Sequence, residues 1–214
     1  GYLRAIGAGA ATSVNVMTPA LFAGLFDVIS ATDVAALRAY LAFHVVRTFA
    51  DALPTAIDDE AFGFYGRRLG GQQQQHERTK RVIDAITADV GEALSQRYVA
   101  ETFSPEAKSR ALAMVDAILV EMRSSLETRT WMTDATRAQA LEKLDAVVVK
   151  IGYPDRWRDW TGLELHRDRY AENRIRATRF EVARQLRRIT TPVDESEWEM
   201  PPHVVNAYYH PLRN

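Results

Sequence analysis

The five histidines of this 214-residue chain are its best candidate metal ligands, because the sequence contains no cysteine. A helical zinc site of the peptidase type needs two histidines four residues apart, with a glutamate between them as general base. His76-Glu77-Arg78-Thr79-Lys80 begins this pattern but ends in a lysine, which cannot act as the second ligand. His203 and His210 fall in a predicted strand and turn, where their spacing favours solvated or hydrogen-bonded side chains. We therefore predict no metal ligand and no catalytic residue in the chain.

Other chemical motifs are also missing from the sequence. Gly63-x-x-Gly66 and Gly70-Gly71 fit turns better than phosphate-binding loops, and no serine stands in a nucleophile elbow. The arginines from Arg174 to Arg188 form a dense cluster, but Asp168, Glu172 and Glu181 interleave with the arginines of this region, which favours a solvated, salt-bridged helix face over a nucleic-acid surface. The net charge of −1 likewise gives no reason to expect a nucleic-acid partner.

The clearest functional signal is the segment from Val204 to Asn214, whose valines and tyrosines predict a strand. An exposed strand edge can bind a peptide as an additional strand. Asn206 would offer a donor and an acceptor to the ligand backbone, and the small Ala207 would allow close approach. On chemistry alone, an internal structural strand remains the favoured alternative to this peptide-binding edge.

The elements that must position this segment are mostly helices, because apolar residues recur at helical spacing through most of the chain. Helices are predicted after Thr18, after Asp33, from Asp58 to Leu69, from Glu77 to Tyr98, after Ser104, after Thr133, and from Arg167 to Ile189. The predicted fold class is therefore mainly α, a lobe of long amphipathic helices that ends in a short β-strand. The composition changes near Ile151, which predicts a boundary between residues 1–150 and 151–214. No apolar run approaches the length of about 20 residues that spans a membrane, so we expect no membrane contact from this segment.

Several stretches together resemble the neprilysin family of zinc metallopeptidases, which includes endothelin-converting enzyme and bacterial oligopeptidase O. Those stretches are Phe62-Gly63-Phe64-Tyr65-Gly66-Arg67-Arg68-Leu69, Phe103-Ser104-Pro105-Glu106-Ala107-Lys108, Lys150-Ile151-Gly152-Tyr153-Pro154, Glu197-Trp198-Glu199-Met200 and Val205-Asn206-Ala207-Tyr208-Tyr209. They occur in family order over roughly residues 13–214. The last two stretches are the most specific.

The resemblance implies a zinc metalloendopeptidase that hydrolyses small peptides. It places residues 1–150 in a helical lobe that closes a central cavity, and residues 151–214 in a connecting segment and the beginning of the catalytic lobe. It also assigns substrate-backbone binding to Asn206 and Ala207. The family's zinc ligands and general base follow the Asn-Ala-Tyr-Tyr motif, so we expect zinc in a longer parent protein and none in this chain, which alone should be inactive.

The expected partners are peptide substrates and the remainder of the catalytic lobe of the same protein. An exported parent, from a bacterium with a GC-rich genome, is favoured over a cytoplasmic one. The alternative function is a non-catalytic helical interaction or scaffold domain of peptidase ancestry. Peptide specificity and oligomeric state are not readable from these residues.

Overall fold

The structure, a computed structural model, describes residues 1–209. Helices of all types account for 62% of these residues, so the prediction of a mainly α protein is confirmed. The α-helices are α1 (Tyr2–Ala5), α2 (Pro19–Ala31), α3 (Val34–Thr48), α4 (Thr55–Ala61), α5 (Arg78–Thr102), α6 (Pro105–Thr128), α7 (Asp134–Asp145) and α8 (Tyr170–Arg188). A 3₁₀ turn covers Ala50–Ala52, and a π-helix covers Phe62–Leu69.

The predicted terminal strand is not present in the part of the chain that the structure describes, which contains no β-strand. A strand exists through the ladder of hydrogen bonds that it shares with a neighbour. Here Val205 is fully exposed, and the Ala207 N–H donates to the Oδ1 atom of Asn206 at 2.8 Å rather than to another segment. The remaining residues of that prediction, from His210 onward, lie outside the described range.

Three helices begin at the side chains that the sequence indicates as caps. The Asp33 carboxylate accepts from the Ala36 N–H at 2.9 Å, at the start of α3. Ser104 and Thr133 make the same kind of contact, each at 3.2 Å, at the starts of α6 and α7. Each contact satisfies a backbone donor that has no partner within the helix.

The short helix predicted from Asp58 differs from the observed one. It begins earlier, at Thr55, directly after Pro54, and it continues into the π-helix that ends at Leu69. Asp58 therefore lies inside α4, where its carboxylate accepts a hydrogen bond from Arg81 at 3.0 Å. A proline before the first turn fixes the backbone there without a side-chain cap.

The chain divides into two compact units, the first formed by Gly1–Val82 and Gly162–Pro192. Its most buried apolar residues are small: Ala8, Ala50 and Ala177. In this unit Asp51, in the 3₁₀ turn, accepts from the Tyr170 hydroxyl at 3.4 Å and forms an ion pair with Arg174, which fixes α8 to the turn.

Helices α2 and α3 expose many large apolar side chains. These are Leu21, Phe22, Leu25, Phe26, Val28, Ile29, Val34, Tyr40, Leu41, Phe43, Val45 and Val46. Among the described residues, no single helix is long and apolar enough to cross a membrane; α2 and α3 reach that length and hydropathy only as a pair, which is bent by 119°.

The second unit is formed by Ile83–Thr161 and the residues from Val193 onward. Within it, α5 buries Gly91, Ser95 and Val99, which follow one another at four-residue spacing on one face. Ile83 and Ile86, which the apolar pattern favours for the inner face, are more than a third exposed. The buried face of α5 thus consists mainly of small residues, which lets other backbone approach closely.

Candidate functional site

A groove of about 440 Å³ lies in the second unit, between two irregular segments. Its lining consists of residues 147–152 on one side and residues 198–202, 204 and 206–209 on the other. Pockets that bind small ligands commonly have a volume of about 300–1,000 Å³, and the groove falls within this range. The predicted substrate-binding residues, Asn206 and Ala207, both belong to its lining.

The first wall, residues 147–152, is held at its end by close packing. Gly152 has φ +77°, a conformation that disfavours any residue with a side chain. A Cβ atom at this position would lie 2.7 Å from Cε1 of Phe103, which follows α5. Lys150 joins the two walls, because its Nζ donates to the Glu197 backbone carbonyl at 2.6 Å.

The residues after Gly152 form an ordered loop, as the sequence predicts. Lys108 of α6 donates to the Tyr153 carbonyl and to the Asp155 carboxylate, each at 2.7 Å, and its ammonium lies 4.3 Å from the centre of the Tyr153 ring. Tyr153 also stacks on Trp157 with ring centres 6.1 Å apart. Arg158 forms an ion pair with Glu92 of α5 at 3.5 Å. The first wall is therefore fixed to both α5 and α6.

The second wall is attached to α5 through the side chain of His203. Its Nδ1 lies 2.6 Å from the Ser95 Oγ, and its Nε2 lies 2.8 Å from the Thr87 Oγ1. The Ser95 hydroxyl donates to the Gly91 carbonyl at 2.9 Å. A hydroxyl has one proton, so the His203 Nδ1–H donates to Ser95, and Nε2 accepts from Thr87. Ser95 is fully buried, with a relative exposure of 0%.

This arrangement suits a neutral imidazole. Burial lowers the pKa of His203, because it removes water from the charged form. The groups that face the ring from α5 are the two hydroxyls and the edge of the Tyr98 ring, whose centre is 6.4 Å away. None of these groups is a carboxylate, so no ion pair with them offsets the desolvation of the charged ring.

Backbone contact joins the same two elements beside His203. A Cβ atom on Gly91 would lie 2.7 Å from the Cγ of Pro201. Immediately before Gly91, Val90 has φ −141° and ψ 36°, so α5 is interrupted at this point. The kink lies immediately before Gly91, and helices often bend where glycine and serine occur together, as Gly91 and Ser95 do on this face.

Asn206 and Ala207 lie three and four residues beyond His203, on an exposed segment without regular secondary structure. The Asn206 Oδ1 accepts from the Ala207 N–H at 2.8 Å, which leaves the Asn206 amide Nδ2 as the donor available to a ligand. At the end of the segment, Tyr209 lies under the ammonium of Lys143 at 5.3 Å. The structure thus brings the two predicted site residues together at one edge of the groove.

Zinc does not fit the described side chains. Within residues 1–209, no group of three histidine, cysteine, aspartate or glutamate residues is close enough to bind a metal ion. Zinc in proteins needs three or four such ligands. Of the histidines considered above, His76 is exposed, and both ring nitrogens of His203 are hydrogen-bonded to side chains of α5. His210 lies beyond the described residues.

Sequence reasoning missed the contact between His203 and Ser95, which attaches the second wall of the groove to α5. The sequence favours a solvated or hydrogen-bonded His203, and the hydrogen-bonded alternative is found. Two signals point toward the contact, namely Pro201-Pro202 immediately before His203 and the small residues Gly91 and Ser95 within an apolar helix. Neither signal identifies the partner, because the residues are more than 100 positions apart.

The sequence profile of peptidase family M13 matches residues 1–154 of this chain. Among solved structures, the open state of zinc metalloprotease Zmp1 from Mycobacterium tuberculosis is similar to this chain, with a TM-score of 0.73 and 38% sequence identity. The match covers 85% of this chain and 28% of the Zmp1 chain. PepO of Lactobacillus rhamnosis HN001 is also similar, with a TM-score of 0.72 and 31% sequence identity. That match covers 78% of this chain and 27% of the PepO chain. The endothelin-converting enzyme homolog of Locusta migratoria is 30% identical over 185 residues, which are 83% of this chain and 25% of the relative.

The chain therefore spans about a quarter of the length of these relatives. The profile match extends over more than half of the chain. The sequence comparison and the structural comparison both find members of the same family. The motifs that resemble neprilysin and endothelin-converting enzyme agree with it. This chain belongs to peptidase family M13, the neprilysin family of zinc metallopeptidases.

Proposed function

We propose that this chain is part of a zinc metalloendopeptidase that hydrolyses small peptides, and that it supplies the segment holding the substrate backbone. The observation that carries the proposal is the position of Asn206 and Ala207 on an exposed segment that lines the groove. The family membership supplies the class of reaction, and the chemistry of an asparagine amide beside exposed backbone suits an extended peptide.

In this proposal the residues of the chain bind and orient the peptide. The Asn206 Nδ2 donates to a peptide carbonyl, and the Ala207 backbone pairs with the peptide once its N–H leaves the Asn206 side chain. A peptide that is bonded to both the Asn206 Nδ2 and the Ala207 backbone has a fixed backbone direction. The chain would thus contribute to hydrolysis by orienting the substrate. In this proposal zinc and the general base are supplied by other residues of a longer parent protein, as the family membership implies.

The proposal also gives the two parts of the chain different roles. Residues 1–150 belong to the helical lobe that closes the cavity, and residues 151–214 begin the catalytic lobe. The exposed apolar side chains of α2 and α3 support a longer parent, because monomeric proteins rarely leave so many large apolar residues in water. Further chain of the same protein would cover them.

Enzyme assays on the complete gene product that contains these residues test the proposal. A purified product with one zinc per chain and activity on short peptides would support it. The 214-residue chain should show no peptidase activity. The competing function, a scaffold domain without catalysis, requires a complete product that binds a protein partner and hydrolyses no peptide. That result would overturn the proposal.

A further inference from the structure

We propose that His203 is a positioning residue, which holds the Asn206-Ala207 segment at a fixed distance from helix α5 so that the segment can receive a peptide. This inference rests on the proposed function above, since it assigns a role to His203 in the same site. His203 is not one of the residues that line the groove, so it acts through its neighbours in the chain.

The first argument is the quality of the attachment. Both ring nitrogens of His203 are within 2.8 Å of a hydroxyl of α5, and its backbone N–H points to the Ser95 Oγ at 3.4 Å. One of these hydroxyls belongs to Ser95, which is fully buried. The two hydroxyls lie on either side of the α5 kink at Val90, so the ring is bonded to both parts of the helix. Its position and orientation are fixed, because neither bond can be kept if the ring turns.

The second argument is the short distance along the chain. Only Val204 and Val205 separate His203 from Asn206. An extended chain advances about 3.3–3.6 Å per residue, so Asn206 cannot move farther than about 10 Å from the attached histidine. The Val204 N–H also donates to the Pro201 carbonyl at 3.0 Å, so His203 itself lies in a turn immediately before this stretch.

The third argument is the exposure of the segment itself. Val205 is fully exposed, and residues 206–209 are exposed as well. Burial therefore holds Val205 little, whereas Tyr208 and Tyr209, at 44% and 58% exposure, keep contacts at the far end of the segment, including that of Tyr209 with Lys143. No strand ladder is present among residues 205–209. The attachment immediately upstream, at His203, is what fixes where the segment begins.

A proteolysis experiment on the chain itself tests the attachment. Chymotrypsin cleaves after aromatic residues, and Tyr208 and Tyr209 are exposed at the end of the segment. We expect His203→Ala to speed cleavage after these tyrosines about tenfold, because cleavage follows the population of the detached state. Cleavage after Trp131, which is 73% exposed in the same unit, should keep its rate. His203→Asn returns an N–H near the position of Nδ1 and should restore part of the protection.

The exposed His76 provides a matched control, since His76→Ala should change neither rate. Equal acceleration after Trp131 and after the tyrosines would show general destabilisation and would overturn the inference, as would no acceleration at all. If His203→Ala does not yield folded protein, Thr87→Val removes one partner and keeps the ring. Thr87→Val should likewise speed cleavage after Tyr208 and Tyr209 and leave cleavage after Trp131 unchanged. Equal acceleration at all three sites, or no acceleration, would again overturn the inference.

Enzyme kinetics on the complete gene product then test the link to Asn206. We expect His203→Ala to raise KM for a short peptide by about the same factor as Asn206→Ala, with kcat and zinc content nearly unchanged. In the double variant the second substitution should add little, because both act through one segment. The inference would be overturned if the rise in KM of the double variant equalled the product of the rises in the two single variants. A fall in kcat with unchanged KM would also overturn it. An Asn206→Ala variant with normal kinetics would instead overturn the proposed function, while the proteolysis result would still decide the attachment.

Discussion

Gly91 of α5 and Pro201 of the groove wall are in such close contact that a Cβ atom on the glycine would lie 2.7 Å from the proline Cγ. Real Cβ atoms do not approach other heavy atoms so closely, and the proline ring has little freedom to move away. The contact therefore requires glycine at position 91. It also places Pro201 two residues before the histidine that bonds to the same helix.

Gly91→Ala should destabilise the second unit. Helix propensity favours alanine by about 1 kcal/mol, but forcing a methyl group into a packed contact costs about 1–3 kcal/mol. We expect a net loss in the free energy of unfolding, measured by urea denaturation, together with faster chymotryptic cleavage after Tyr208 and Tyr209. Gly24→Ala in α2 is the matched control, because a Cβ atom at position 24 would have no other atom within 4 Å, and it should be neutral or stabilising. Higher stability for Gly91→Ala would contradict the packing argument.

Lys108 should contribute more to stability than the aspartate with which it pairs. Its side chain is 13% exposed and donates to the Tyr153 carbonyl, whereas the Asp155 side chain is 98% exposed. Lys108→Met removes the donor of a partly buried carbonyl, at a cost of about 1–3 kcal/mol. Asp155→Asn removes only an exposed ion pair, worth less than about 1 kcal/mol. Thermal unfolding of the two variants measures the difference, and equal losses would show that the ion pair is the main contribution.

The stability of the second unit should depend on pH through His203. Burial lowers the pKa of His203 in the folded chain, whereas the unfolded chain keeps a value of about 6.5. The unfolded chain therefore binds the proton more readily, and the stabilisation is fully present above about pH 6.5 and is lost as the pH falls from there through the folded pKa. Urea unfolding at pH 7.5 and at pH 5 should show a larger loss for the native sequence than for His203→Gln. The same loss in both would mean that other groups cause the pH dependence.

Asn206→Ala in the complete gene product should weaken peptide turnover and leave zinc content unchanged. The loss of one hydrogen bond to the substrate backbone corresponds to about a fivefold to tenfold rise in KM. Val205→Ala is the matched control, because Val205 is fully exposed on the same segment and should have little effect. Unaltered kinetics for Asn206→Ala would return the motif to a structural role.

The sequence predicts those features that depend on neighbouring residues. The caps Asp33, Ser104 and Thr133 are confirmed, because a cap needs only its own side chain and a backbone N–H three residues later. Two predicted caps are exceptions. Pro54 already begins the helix upstream of Asp58, and Thr18 precedes α2 without a side-chain cap bond.

Features that depend on distant residues are not predictable in this way. Ser95 and His203 are 108 positions apart, and hydrophobic periodicity gives no weight to a buried serine. The terminal strand illustrates the same limit, because valines and tyrosines favour a pleated chain but a strand also needs a neighbour to pair with. The role of Asn206 and Ala207 remains a prediction that comes from the family motif, and the groove is the structural observation that supports it.

The hydrogen bond between the Asn206 side chain and the Ala207 N–H has a consequence for solubility. Exposed extended backbone with unpaired donors is a template on which a second molecule can add a strand and begin aggregation. The Asn206 Oδ1 already occupies one of these donors at 2.8 Å, so a second chain would have to displace it before pairing. The proposed peptide-binding segment thus has one backbone donor occupied by its own side chain. While no substrate is bound, this hydrogen bond lowers the risk that two molecules of the protein associate through the segment.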